Sequence, residues 1–188
     1  TGSTTTTVTN VAPVIDSLSA TSVLENGIVP LTGTYSDVGT QDTHTLTINW
    51  GEGLLQTVVV TSGTFDITRQ YLNGNPTNSG SDIYTIGVTL TDDDTGTDTG
   101  RTTTTVTHGR RAIYSLSTTS ALEKGISHQP GTHSDVGTQD TQTMTINWGE
   151  GLLQTVVVTS GTFDITHQYT DDKPTKPDSD IQTKGVNL

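Results

Sequence analysis

Apolar and polar residues alternate one by one along much of this chain. Between residues 43 and 50, His44, Leu46, Ile48 and Trp50 fall on one side, with Thr43, Thr45, Thr47 and Asn49 on the other. A period of two belongs to a strand with one buried and one wet face. Gly51-Glu52-Gly53 follows, and its glycines accept positive φ, so residues 54–60 fold back as the second arm of a hairpin. Ser62-Gly63 turns the chain again into 64–71. The polar stretch 73–81 predicts a loop, and 83–90 a strand with Tyr84, Ile86, Val88 and Leu90 on one face. Residues 92–96, Asp-Asp-Asp-Thr-Gly, predict a turn and 101–107 a final strand, while 14–18 and 28–36 supply two more upstream. No segment shows the helical period. Some seven short strands within about 100 residues predict an all-β antiparallel sandwich.

The pattern then recurs. Residues 36–68 return at 134–166 with 31 of 33 positions identical, at an offset of 98. In the same register 11–90 align with 109–188 without a gap, 54 of 80 positions being identical. TGSTTTTVTN at 1–10 matches TGRTTTTVTH at 99–108, again 98 residues away. Repetition at a fixed period signals tandem copies of one structural unit. Three pieces are therefore expected: residues 1–10, the last strand of a preceding repeat or a donor strand; 11–108, a complete repeat; and 109–188, a second repeat without its last strand. Leu31, Tyr84 and Ile86 of the first copy correspond to Gln129, Gln182 and Lys184 of the second. An unpaired buried Lys or Gln costs on the order of a few kcal/mol. These positions therefore either open onto solvent or a partner, or mark a weaker domain.

Composition narrows the class. Of 188 residues only 29% are hydrophobic, yet 43 are Thr, a β-branched residue suited to strands with one wet face. There is no cysteine, which excludes disulfides and thiolate metal sites. A formal charge of −12 repels a phosphate backbone, so nucleic acid is a poor partner. No run of 18 apolar residues exists to span a membrane as a helix.

Gly33-Thr34-Tyr35-Ser36-Asp37, Trp50-Gly51-Glu52-Gly53, Gln70-Tyr71 and Tyr84-Thr85-Ile86 with Thr89-Leu90-Thr91-Asp92-Asp93 resemble the motifs of the PKD (polycystic-kidney-disease-type) repeat. Glu52 and Glu150 replace the family's usual hairpin Asp, and Arg69 stands where His is usual, which His167 retains. The resemblance implies tandem immunoglobulin-like sandwiches in extracellular surface or adhesin proteins of bacteria or archaea. Such units serve as spacers, adhesive units or assembly units, without catalysis.

Candidate chemistry is sparse. Asp92, Asp93 and Asp94 form the densest carboxylate group, and Asp37 and Asp42 precede the Trp strand. Hard oxygen ligands suit Ca2+, and a solvated turn or a capped loop explains the same residues. The Asp-rich turn belongs near a domain end, close to residues 10–13 or 37–42. Trp50 and Trp148 read as core, together with Leu46, Ile48, Tyr84 and Ile86, in preference to a sugar-stacking platform. The five His share no spacing, and no nucleophile elbow or phosphate loop occurs, so no enzyme is expected. The Thr runs at 4–7 and 102–105 are ordinary strand residues or acceptors for O-linked sugars.

The ends suggest an assembly. Ser3, Thr4, Thr5, Thr6, Thr7 and Val8 form a strand sequence in search of a sheet, and the second repeat lacks that same strand. Head-to-tail joining of copies by strand complementation explains both, as does a segment of a longer continuous array. The expected function is a structural repeat of an extracellular filament or adhesin stalk, with copies of itself as partner. The alternative is a carbohydrate- or surface-binding module of a secreted protein.

Overall fold

The computed structural model of the protein describes residues 2–72, 79–122, 124–137, 140–151, 153–159, 161–169 and 183–188. The predicted loop at 73–81 thus lies largely outside the described residues. The chain divides into two compact units, Thr1–His108 and Gly109–Leu188.

In the first unit β1 (Val14–Ala20), β3 (Ile28–Ser36) and β6 (Thr64–Gln70) form one sheet in the order β1-β3-β6. The second sheet contains β2 (Val23–Leu24), β4 (His44–Asn49), β5 (Leu55–Val60), β7 (Ser81–Asp92) and β8 (Thr97–Thr107), in the order β2-β8-β7-β4-β5. All pairs are antiparallel except β2, which runs parallel to the end of β8 with Val23 beside Val106. The alternation of the sequence sets the register. Leu46 stands between Leu90 and Val58, and Ile48 between Val88 and Gln56, so one face of three strands turns inward together. Against Leu46, Ile48, Trp50, Ile86 and Leu90 pack Val29, Leu31 and Phe65 of the facing sheet. The all-β sandwich expected from the pattern is the one observed, and no helix occurs among the described residues.

Several strands differ from the sequence reading, and β1 runs on to Ala20. β7 and β8 are longer than 83–90 and 101–107, because Asp92 N–H donates to the Gly96 carbonyl (3.0 Å) and closes a tight hairpin that keeps the ladder running. The two-residue β2 has no periodicity of its own and exists only through its pairing with β8.

Two polar bonds fasten the Trp50 end of the core. Gly51 (φ 88°) and Gly53 (φ 86°) carry the hairpin through a region that residues with a side chain seldom adopt. The Trp50 indole N–H donates to Gln56 Oε1 (2.8 Å). Tyr71, fully buried, donates its hydroxyl to the Trp50 carbonyl (2.7 Å) and tilts its ring against Tyr84 at 4.7 Å. Burial pushes the Tyr71 phenol well above its usual range.

The second unit repeats this arrangement 98 residues later, with a different interior. β9 (Ala112–Leu116), β10 (Ile126–Ser134) and β13 (Thr162–Gln168) form one sheet, ordered β13-β10-β9. β11 (Gln142–Asn147), β12 (Leu153–Val158) and β14 (Gly185–Asn187) form the other, ordered β12-β11-β14. Its core is Met144, Ile146, Trp148, Val158, Phe163 and Ile165. Val29, Leu31 and Ile86 of the first unit are replaced by Ser127, Gln129 and Lys184, and these polar groups find partners within the unit. Gln129 Nε2 donates to the Ser117 carbonyl (2.7 Å). Lys184 Nζ donates to Ser127 Oγ (2.5 Å) and Thr118 Oγ1 (3.0 Å) and stands 5.0 Å from the centre of the Trp148 ring. Burial holds the Lys184 ammonium below its ordinary range. Gln182 lies outside the described residues.

Two stability predictions follow from these interiors. Tyr71→Phe leaves the buried Trp50 carbonyl without its donor and costs the first unit about 1–3 kcal/mol in urea unfolding. The Tyr71 phenol titrates higher in the folded unit than in the unfolded chain, so its stabilisation is complete below about pH 10 and is lost as pH rises further. Tyr71→Phe removes that alkaline loss. In the second unit, Lys184→Ile with Ser127→Val restores the apolar pair of the first copy. The pair of substitutions raises stability by about 1–4 kcal/mol, read as a higher urea midpoint.

Candidate functional site

Two features stand apart from the packed interiors: a group of carboxylates at one end of the first unit, and an unpaired edge in the second.

The carboxylates come from three places. β3 ends at Ser36 and releases the loop holding Asp37 and Asp42; β4 starts at His44; β7 ends on Asp92. One carboxylate oxygen each from Asp37, Asp42 and Asp92 lies within 4.8 Å of the others. Asp92 belongs to the strand, not to an exposed turn, and is buried. Its oxygens accept the Gly96 N–H (2.7 Å) and the Asn10 side-chain amide (2.9 Å), which brings the residue 10–13 segment to this end of the sandwich. Asp37 pairs with His44 Nε2 (2.8 Å), whose ring lies 4.9 Å from that of Tyr35, and its other oxygen accepts the Gly39 N–H (3.2 Å). Burial alone would raise the Asp37 carboxyl, but the His44 and backbone hydrogen bonds outweigh it and hold the group low. Asp42 has no such compensation. Burial, followed by the charges of Asp37, Asp93, Asp92 and Asp94, raises its carboxyl above the usual range. Asp93 is exposed and accepts the Thr43 N–H (3.0 Å), and Asp94 is exposed on the turn, so neither joins the three-oxygen group. Three convergent hard oxygens can hold a divalent cation such as Ca2+.

The remaining candidates are structural in placement. Trp50, Trp148, Leu46, Ile48, Tyr84 and Ile86 are all buried. Arg69 binds Glu52 through its guanidinium (2.6 Å), and in the second unit His167 takes this role with Glu150 (2.9 Å) while stacking on Trp148 at 4.9 Å. This pair between a strand of one sheet and a hairpin turn of the other was not visible in the sequence as a pair. The 17-residue spacing, repeated with matched charge in both copies, was the available signal. His128 pairs with Asp164 (3.0 Å) and His108 faces Asp82 (3.4 Å), so His44, His108, His128 and His167 are dispersed among separate carboxylates.

The second feature is the edge of β14. In the first unit β7 pairs with β4 on one side and with β8 on the other, from Ser81 opposite Thr107 to Thr91 opposite Thr97. Its counterpart β14 pairs with β11, and among the described residues no strand lies on its other side. Leu116 of β9 is 47% exposed, whereas its counterpart Leu18 packs against the first core. Residues 2–9 are exposed and outside any strand, with Val8 91% exposed.

No protein-family model and no curated protein matches this chain. Among solved structures it is similar to the chicken CNTN1 FN1-FN3 domains, with 14% identity and a TM-score of 0.30. The match covers 86% of this chain and 58% of that one, so the chain spans little more than half the length of the structure it matches. Strand order and register define the class by themselves: this is an all-β chain of tandem immunoglobulin-like antiparallel sandwiches. No helix among the described residues is long and apolar enough to cross a membrane.

The carboxylate group generates a test. Because the Asp42 carboxyl is raised in the folded unit, its ionisation opposes folding, and stability falls as pH rises through its titration. Asp42→Asn therefore raises the Tm of the first unit at neutral pH in chelator. Millimolar Ca2+ raises the wild-type Tm and leaves that of Asp42→Asn unchanged, as read by calorimetry.

Proposed function

We propose that this protein is a structural repeat unit of an extracellular filament or stalk, extended head to tail by strand complementation or as a continuous array of PKD-like sandwiches. One observation carries the reading: residues 2–9 repeat the sequence of β8, lie outside any strand, and so match the strand that β14 lacks beside it. A strand edge with unpaired N–H and C=O groups is a template for another strand, and an extended peptide that adds there gains main-chain bonds and side-chain pockets together. A contact between unlike surfaces that does not close on itself produces a linear thread.

The competing reading, a carbohydrate-binding module, needs exposed aromatic faces. Trp50, Tyr71 and Tyr84 are buried, which leaves the first unit without an aromatic face on which a sugar could stack. Convergence of Asp37, Asp42 and Asp92 favours a thread whose units are stiffened by Ca2+. Of the two Thr runs, Thr4, Thr5, Thr6, Thr7 and Thr103 stand exposed as acceptors for O-linked sugars, while Thr104 is buried and is not.

The test is a comparison of masses. Material that is polymeric under native conditions and runs as the 19.8 kDa chain in denaturant is joined by strand complementation. A much larger denatured mass identifies the continuous array. Deleting residues 2–9 leaves only monomers of the short chain, and filaments formed by that deletion variant would remove strand addition from the account.

A further inference from the structure

We propose that β5 is a docking edge for a second copy of this chain. Two β5 strands pair antiparallel across a two-fold axis at Thr57, in a contact separate from residues 2–9 and from β14.

Among the described residues of the first unit, every open strand edge is guarded except this one. An edge invites pairing, and proteins ordinarily forbid it with charge, a bulge or brevity. β1 carries Asp16 at an irregularity of its ladder, between Ile15 and Ser17. β6 carries Asp66 and Arg69. β2 is two residues long, and the stretch of β8 beyond it carries Asp98 and Arg101. β5 has none of these devices. It stands at the end of its sheet and pairs with β4 over six consecutive residues without a slip. The stretch around it, residues 53–65, contains no charged residue and no proline. Its outward face is apolar at both ends, Leu55 being 67% and Val59 65% exposed. Strands of this composition are the ones that pair with their own kind. β12 repeats the strand residue for residue in the second unit, again at the end of its sheet, with Leu153 and Val157 exposed.

The chemistry of the edge selects a copy of itself. At a formal charge of −12 two copies repel wherever acidic surfaces meet, and an uncharged rim lets them approach without that cost. The strand also reads nearly the same in both directions about Thr57. Turned antiparallel on itself it sets Leu55 opposite Val59, Leu54 opposite Val60 and Thr57 opposite Thr57. Aliphatic and Thr–Thr neighbours of this kind are favourable cross-strand pairs. Moving the axis to Val58 would set Thr57 against Val59 and Leu55 against Thr61, splitting the apolar pairs. Such a contact between like surfaces closes on a pair. One six-residue edge is short beside the roughly 1,200 Å² that stable interfaces bury, so dilute single chains stay monomeric. Copies held in an assembly present the edge repeatedly and gain from many weak contacts together.

The full-length chain has no cysteine, so one introduced thiol reports the pairing. Thr57→Cys meets its own copy at the axis, at a separation a disulfide spans, and mild oxidation gives a dimer of twice the chain mass. Leu55→Cys alone gives little dimer but links to chains carrying Val59→Cys. Adding Val59→Lys to the Thr57→Cys chain removes the dimer. Adding Ile83→Lys, the same charge at an exposed residue of β7 in the same sheet, leaves it. All these side chains are exposed, so the urea midpoint stays at the wild-type value. If Thr57→Cys gives no more dimer than Thr99→Cys on the exposed face of β8, the pairing is wrong. If Leu55→Cys links to itself as readily as to Val59→Cys, the register is wrong. Chains lacking residues 2–9 still give the Thr57→Cys dimer on oxidation, so this edge and strand complementation stand or fall separately.

Discussion

The structure depends on closing a sheet. In the first unit β8 completes the ladder of β7, carries β2 along its far side, and supplies Val106 and Thr104 to the interior. It also reaches the opposite sheet, since Asp98 accepts the backbone N–H of Ile15 (2.8 Å) and Gly100 lies under Leu18. A chain with so small an apolar fraction has little spare burial, and a sandwich of about 100 residues is stable only while nearly all of it is used. A strand that contributes to both sheets therefore matters out of proportion to its length.

The two units meet that constraint differently. The first has an apolar interior from Val29 to Val106. The second keeps the Trp148 end, including Tyr169 donating to the Trp148 carbonyl (2.9 Å), but places Ser127, Gln129 and Lys184 where the first has Val, Leu and Ile. Lys184 bonds Ser127 and Gln129 bonds the Ser117 carbonyl, so these three positions avoid the cost of unpaired burial while giving up hydrophobic stabilisation. A second unit held by a smaller core gains more from a partner strand than the first would.

Much of this fold was legible in the sequence because its signals are local. Strict alternation around Trp50 and glycines at 51 and 53 carry their own geometry, and a repeat offset of 98 transfers every conclusion from one copy to the other. What escaped was non-local. β2 exists only beside β8, the Arg69–Glu52 pair joins a strand of one sheet to a hairpin turn of the other, and Asp92 is buried by a hairpin that Gly96 closes. The pairing of Lys184 with Ser127 was hidden for the same reason, since two unfavourable substitutions 57 residues apart make sense only once the strands are stacked. For the carboxylates, the sequence indicated which acids were dense but not which converge: Asp37 and Asp42 join Asp92, whereas Asp93 and Asp94 face solvent.

The most direct measurement of the central claim is backbone hydrogen exchange in native assemblies compared with dissociated chains. Unpaired edges exchange at the rate of open peptide, and a strand paired along the open edge of β14 does not. The account predicts that amides of residues 2–8 and of β14 become protected together on assembly, to the degree found in the paired strands β7 and β8 of the same sample. Assemblies in which both segments still exchange as fast as in the free chain would contradict it.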